Sequence, residues 1–133
     1  MQETTTISEL LERACPSIKY RIRWEILNES RSTPLMREIQ KQILDDEIVK
    51  EVISWQQPDG WLAWNFHSYQ SMELGIRLLC EKGVDSSHPV LSNGLQALSR
   101  ETNRLDRGIG KVGRILDTTG LGGPLTIGAT IFA

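Results

Sequence analysis

One hexapeptide, Gln56-Gln57-Pro58-Asp59-Gly60-Trp61, constrains this chain more than any other stretch. Proline presets φ where a turn begins, an aspartate carboxylate can accept from the backbone two residues on, and glycine supplies a positive φ that other residues adopt only with strain. Apolar residues recur at helical spacing on both sides, so the hexapeptide reads as a tight link between helices. Trp55, Trp61 and Trp64, three of the chain's four tryptophans, fall within ten positions around it, and Phe66 and His67 follow. Tryptophan combines a large apolar area with a single N–H donor. Clustered at a turn, such rings either lock two helices together or line a cavity, and the sequence leaves both open.

The rest of the chain reads as consecutive helices. Thr6-Ile7-Ser8-Glu9 has the form of a capping box, followed by a stripe of Ile7, Leu10, Leu11 and Ala14 that Pro16 ends. Ser17 reads as the cap of a helix from Ile18 to about Asn28, apolar along Ile18, Ile22 and Ile26 and again along Tyr20, Trp24 and Leu27. A helix apolar on two sides touches two neighbours. Thr33-Pro34 starts a third helix, with Leu35, Ile39 and Ile43 at four-residue spacing. Asp45-Asp46-Glu47 then places acidic residues where the dipole of a fourth helix favours them, and Ile48, Val49, Val52, Ile53 and Trp55 follow.

Beyond the turn, Ser68 reads as the start of a helix with Met72, Ile76 and Leu79 on one face, Lys82 in its last turn and Gly83 just past its end. Ser86-Ser87-His88-Pro89 opens another, carrying Leu91, Leu95 and Leu98, with His88 as an exposed cap. Leu105, Ile109, Val112 and Leu116 form a stripe weakened by Gly108, Gly110 and Gly113. Leu125, Ile127, Ala129 and Ile131 alternate as a strand would, but no partner strand precedes them, which favours a short buried helix after Gly122-Gly123-Pro124. The expectation is an all-α domain over residues 1–133, built of antiparallel helix pairs, about seven or eight in number of helices. Its apolar end, Ile131-Phe132-Ala133, reads as an interrupted element of a longer protein.

Composition excludes some function classes. Fifteen basic and seventeen acidic residues give a net charge of −2, so no basic excess points to nucleic acid. The apolar runs are too short to span a bilayer, and the polar, acidic N-terminus does not read as a signal peptide. Two cysteines, Cys15 and Cys80, do not make a disulfide framework; Cys80 beside Leu78-Leu79 reads as a small buried hydrophobe, and a reducing cytoplasm is expected.

Trp55, Gln56 or Gln57, Asp59, Gly60 and Trp61 together resemble the repeat of the terpene cyclase and protein prenyltransferase α/α-toroid superfamily, which runs helix, Gln, a short spacer with Asp-Gly and an aromatic, then the next helix. Gly75-Ile76-Arg77-Leu78-Leu79, the break at Gly83 and Leu121-Gly122-Gly123 also look like that superfamily, over roughly positions 17–133. Two features depart from it. Gly60 and Trp61 are adjacent where the repeat usually has a residue between, and no second good copy of the turn occurs. The resemblance implies a partial α/α toroid or helical-repeat array and an apolar, isoprenoid-like ligand class. A complete toroid needs more helices than this chain supplies, which implies a catalytically inactive segment completed by further repeats or by a second copy of the chain.

Trp61, Trp64, Phe66 and His67 are the candidate ligand-binding residues, facing a cavity for an apolar or cationic molecule, against the reading in which the turn is purely a stability device. His67 among aromatics has the chemistry of a general acid or base, or of a simple cap. Leu44-Asp45-Asp46-Glu47 does not match the Asp-x-Asp-Asp of squalene–hopene-type cyclases, and no Asp, Cys and His set matches a prenyltransferase zinc site, so no cofactor or metal is expected. Gly108-x-Gly110-x-x-Gly113 lacks the preceding strand that a dinucleotide site requires. The other functional class left standing is a non-enzymatic helical-repeat module that oligomerises or binds proteins, with Trp24, Trp61 and Trp64 as anchors.

Overall fold

The structure is a computed structural model that describes residues 2–100 together with Ile131; the side chains of residues 2–5 and of Arg100 are outside that description. It is all-α, as the periodicity dictates. The helices are α1 (Gln2–Arg13), α2 (Pro16–Arg21) running into a π-helical turn (Ile22–Ile26), α3 (Pro34–Leu44), α4 (Glu47–Ser54), α5 (Met72–Lys82) and α6 (Pro89–Arg100). Each of them packs on the next along the chain, α1 on α2 through to α5 on α6. Among the described residues no helix is long and apolar enough to cross a membrane, and extended structure is limited to two isolated bridges, Gln56 with Leu62 and Asn65 with Ser71.

Local chemistry sets most of the boundaries. Thr33 caps α3, its hydroxyl accepting from the Met36 N–H at 3.2 Å, with Pro34 in the first turn. One Asp46 carboxylate oxygen accepts from the Ile48 and Val49 N–H groups, satisfying two donors at the start of α4. At the end of α5, Gly83 is left-handed, its N–H donates to the Cys80 carbonyl and the Val84 N–H donates to the Leu79 carbonyl. That pair of bonds is a Schellman closure, and the buried Val84 and Leu79 supply the apolar contact that accompanies one.

Four expectations are corrected. Helix α1 begins at Gln2, so Thr6 lies inside it and not at its N-cap. Cys15, not Ser17, is the N-cap of α2, because Pro16 fits the first turn, where its missing N–H is no loss. Helix α5 starts after Ser71 rather than at Ser68; the Met72 and Glu73 N–H groups donate to the Asn65 and Phe66 carbonyls, which ties the preceding loop to the first turn and leaves Ser71 as cap. Cys80 is exposed. The Leu105–Leu116 stripe, the Gly108–Gly113 run and the tail fall outside the described residues, except that Ile131 is helical, half-buried and packed on the core.

The two-sided helix at 18–28 also comes out differently. Tyr20 and Ile22 are buried, whereas Ile18, Trp24, Ile26 and Leu27 are exposed. The Leu27 N–H donates to the Ile22 carbonyl, five residues back, so the turn is wider than an α-helix and the residues after it lie away from where a 3.6-residue period would put them. One continuous core remains. Met36, Ile39 and Ile43 of α3 meet Val49 and Val52 of α4, Met72, Ile76 and Leu79 of α5, and Val90, Leu91, Ala97 and Leu98 of α6, with Trp61, Leu62 and Phe66 from the loop between α4 and α5.

Candidate functional sites: an indole-bearing bend and a cationic cleft

The bend between α4 and α5 is built as its residues demand. Gly60 has φ 94°, its N–H donates to the Gln57 carbonyl at 2.9 Å, and the Trp61 N–H donates to the Asp59 carboxylate at 3.0 Å. The Gln56 side-chain amide donates to the Gly60 carbonyl at 3.1 Å and to the Val90 carbonyl of α6 at 2.9 Å. One side chain therefore satisfies an acceptor in the turn and another in a helix 34 residues on. Trp61 and Phe66 are fully buried and meet edge-to-face with centroids 6.5 Å apart. The Leu62 N–H points at the Met72 sulfur, 3.4 Å away, and Leu62 lies against Gly75 where a β-carbon would not fit.

The four residues singled out from the sequence divide here. Trp61 and Phe66 are core. Trp64 is 65% exposed beyond Ala63, which itself has a positive φ of 61°. His67 is exposed, its Nδ1 3.1 Å from the Glu73 carboxylate, which Arg77 also reaches at 3.2 Å. Trp55 packs against the core with its indole nitrogen shielded and without a hydrogen-bond partner. His88 is half-buried, not exposed; it caps α6, its Nδ1 accepting from the Val90 N–H at 3.1 Å.

A second constellation lies where α2, α3 and the segment after α5 meet. The Tyr20 hydroxyl donates to the Asp85 carboxylate at 3.2 Å. Asp85 also accepts from the Ser87 N–H and hydroxyl, and Arg31 approaches it at 3.9 Å. Gln40 holds this segment from α3, accepting from the Asp85 N–H at 2.8 Å and donating to the Gly83 carbonyl at 3.0 Å. The Arg31 guanidinium sits 4.5 Å from the centre of the Trp24 ring, and Trp24 lies 6.3 Å from Tyr20.

Burial first, then the neighbouring Asp85 charge, pushes the Tyr20 phenol up to about 12. Burial also acts to raise Asp85, but the Ser87 hydrogen bonds, the Tyr20 hydroxyl and the Arg31 charge outweigh it and hold the carboxyl below its ordinary value. Asp46 is likewise held low, chiefly by its 3.0 Å bond to the Lys82 ammonium. The Cys80 residue presents surface to solvent, yet its thiol is desolvated enough that its pKa is pushed up, which leaves it a poor nucleophile.

Two concavities flank this cluster. The outer one, about 510 Å³, runs along Arg37, Gln40, Lys41 and Leu44, one face of α3, to Ser86. The inner one, about 180 Å³, is lined by Arg21, Trp24, Glu25, Cys80, Val84 and Leu91. Tyr20, Arg31, Asp85 and Ser86 border both. Neither they nor a polar hollow of about 220 Å³ between the bend and α6 is lined by Trp64, Phe66 or His67. Among the described residues no group of three or more His, Cys, Asp or Glu is placed to hold a metal ion. The cleft escaped the sequence reading because its members come from separated segments, Tyr20 and Asp85 alone being 65 residues apart; only the spacing of Arg37, Gln40, Lys41 and Leu44 marks a shared face in advance. No family model, curated protein or solved structure matches the chain.

Proposed function

We propose that this chain is a segment of a terpene cyclase or protein prenyltransferase-like helical-repeat protein, serving as scaffold for an apolar, isoprenoid-like ligand and not as a complete catalyst. One observation carries the reading: the Gln56 amide binds the turn at Gly60 and the Val90 carbonyl of α6 together, over a buried Trp61. A repeat array draws its stability from contacts between neighbouring units, so each unit needs such a tie to the next. The succession of contacts from each helix to the one that follows supports the same reading. The two carboxylates with shifted pKa values, Asp46 and Asp85, are both displaced downward, the wrong direction for a group that must donate a proton near neutral pH.

Titration of the purified chain with a long-chain isoprenoid alcohol, followed by tryptophan fluorescence, tests the proposal. A saturable change in emission is expected. A response that stays linear up to the solubility limit of the alcohol removes the ligand and leaves a second reading, the non-enzymatic module that oligomerises. That reading is favoured by Ile18, Trp24, Ile26 and Leu27, four large apolar side chains exposed within one ten-residue segment.

A further inference from the structure

The geometry points to a second binding function, carried by the cleft and independent of the repeat reading: we propose that it takes a small amphiphilic phosphate monoester. The head group lies in the outer lobe against Arg31, Arg37 and Lys41, and a ring-sized apolar group enters the inner lobe beside Trp24.

Charge supports the head-group site. The chain as a whole is acidic, at −2, yet the outer lobe gathers three cations against the single carboxylate of Asp85, a surplus of two. A phosphate monoester at neutral pH carries nearly two negative charges. The cations are available to it. Among the described residues no carboxylate pairs with Arg37. Lys41 reaches Glu38 only at 3.7 Å on the solvent side, and the Arg31–Asp85 approach is long at 3.9 Å. Exposed pairs of this kind are worth little, so exchanging them for charge-assisted bonds to phosphate is favourable. Asp85 lines the lobe too, but both its oxygens already accept hydrogen bonds, one from Tyr20 and the other from Ser87.

Shape supports the apolar part. The inner lobe, at about 180 Å³, matches the size of cavity that admits a benzene ring, roughly 150 Å³ in a well-studied apolar example from another protein. Trp24 forms one wall, Val84 and Leu91 another, the mutually paired Arg21 and Glu25 also border it, and Arg31 already lies over the indole at a cation–π distance. The π-helical turn Ile22–Ile26 is what presents Trp24 here, and such turns recur at functional sites. Because Arg31 borders both lobes, one ligand can hold its phosphate on the guanidinium and its ring beneath it.

Heteronuclear NMR titrations of the intact chain with phenyl phosphate, inorganic phosphate and benzoate test the proposal. Phenyl phosphate is expected to shift the Ser86, Ser87 and Lys41 amides and the Trp24 indole saturably, inorganic phosphate the amides alone and more weakly, and benzoate least. The double variant Arg37→Gln, Lys41→Gln changes only exposed side chains and is expected to weaken phenyl phosphate about tenfold, while Arg77→Gln on α5 leaves it unchanged. Absence of saturation, equal weakening by Arg77→Gln, or a silent Trp24 indole would each overturn it.

Discussion

Gly60 is the residue whose chemistry is least replaceable. Its φ of 94° is one that side chains resist, and a β-carbon there would come 2.7 Å from the Asn93 carbonyl oxygen and 3.1 Å from the Ala97 β-carbon. Both are fixed parts of α6, one of them backbone, so neither yields at small cost. Gly60→Ala is therefore expected to destabilise the chain by about 2 kcal/mol or more, combining left-handed strain with displacement of the turn from α6. Urea unfolding measures this directly; a loss of only a few tenths would mean that the turn is not seated on α6. The left-handed backbone at Gly60 and the Asp59 bond to the Trp61 N–H were legible in advance, because each is decided within four residues. The other half of the Gln56 interaction was not, since Val90 lies in a different helix and nothing near Gln56 encodes it.

Elements show the same division. The starts of α3 and α4 and the close of α5 follow from Thr33-Pro34, Asp46 and Gly83, whose side chains or φ values settle the adjacent backbone locally, although Asp46 also reaches Lys82 on α5. The start of α5 and the course of α2 depend on tertiary bonds, the first on Asn65 and Phe66, the second on what Tyr20 meets. Tyr20 clamps α2 to the segment after α5 through Asp85, and this clamp is pH-sensitive. The phenol ionises at its ordinary value of 10.0 in an open chain but only at about 12 in the fold. Its raised folded pKa means that the neutral form is the one the fold favours. The contribution is complete below pH 10.0 and disappears as pH climbs to about 12. Across that window the native chain should lose stability faster than a Tyr20→Phe variant, which has no phenol to ionise. Denaturant melts of the two proteins on either side of the window check it, and parallel losses would show that the phenol is not held neutral by its burial and by Asp85 beside it.

At the scale of the whole molecule, the core and the exposed apolar side chains make opposite demands. A single apolar cluster runs from Tyr20 to Leu98 and buries the inner faces of α3 to α6 together with Trp61 and Phe66. Yet Leu10, Ile18, Ile26 and Leu27 stay open to water, Ile26 at 59%, all of them in α1, α2, the π-helical turn or the residue that closes it. Burying a side chain of that size is worth about 1.5–3 kcal/mol, so a surface that removes several from water at once gains enough to hold two chains together if the geometry is complementary. A net charge of only −2 on 133 residues offers little repulsion against it. If the interaction-module reading is right, sedimentation equilibrium gives a mass above that of one chain, and Ile26→Lys returns it to one. The lysine lies at an exposed position and removes no core contact, so thermal unfolding of the variant at low concentration should match that of the parent. A parent chain that already sediments as a monomer at high concentration leaves these side chains without a role in self-association, and the scaffold reading then stands on its ligand alone.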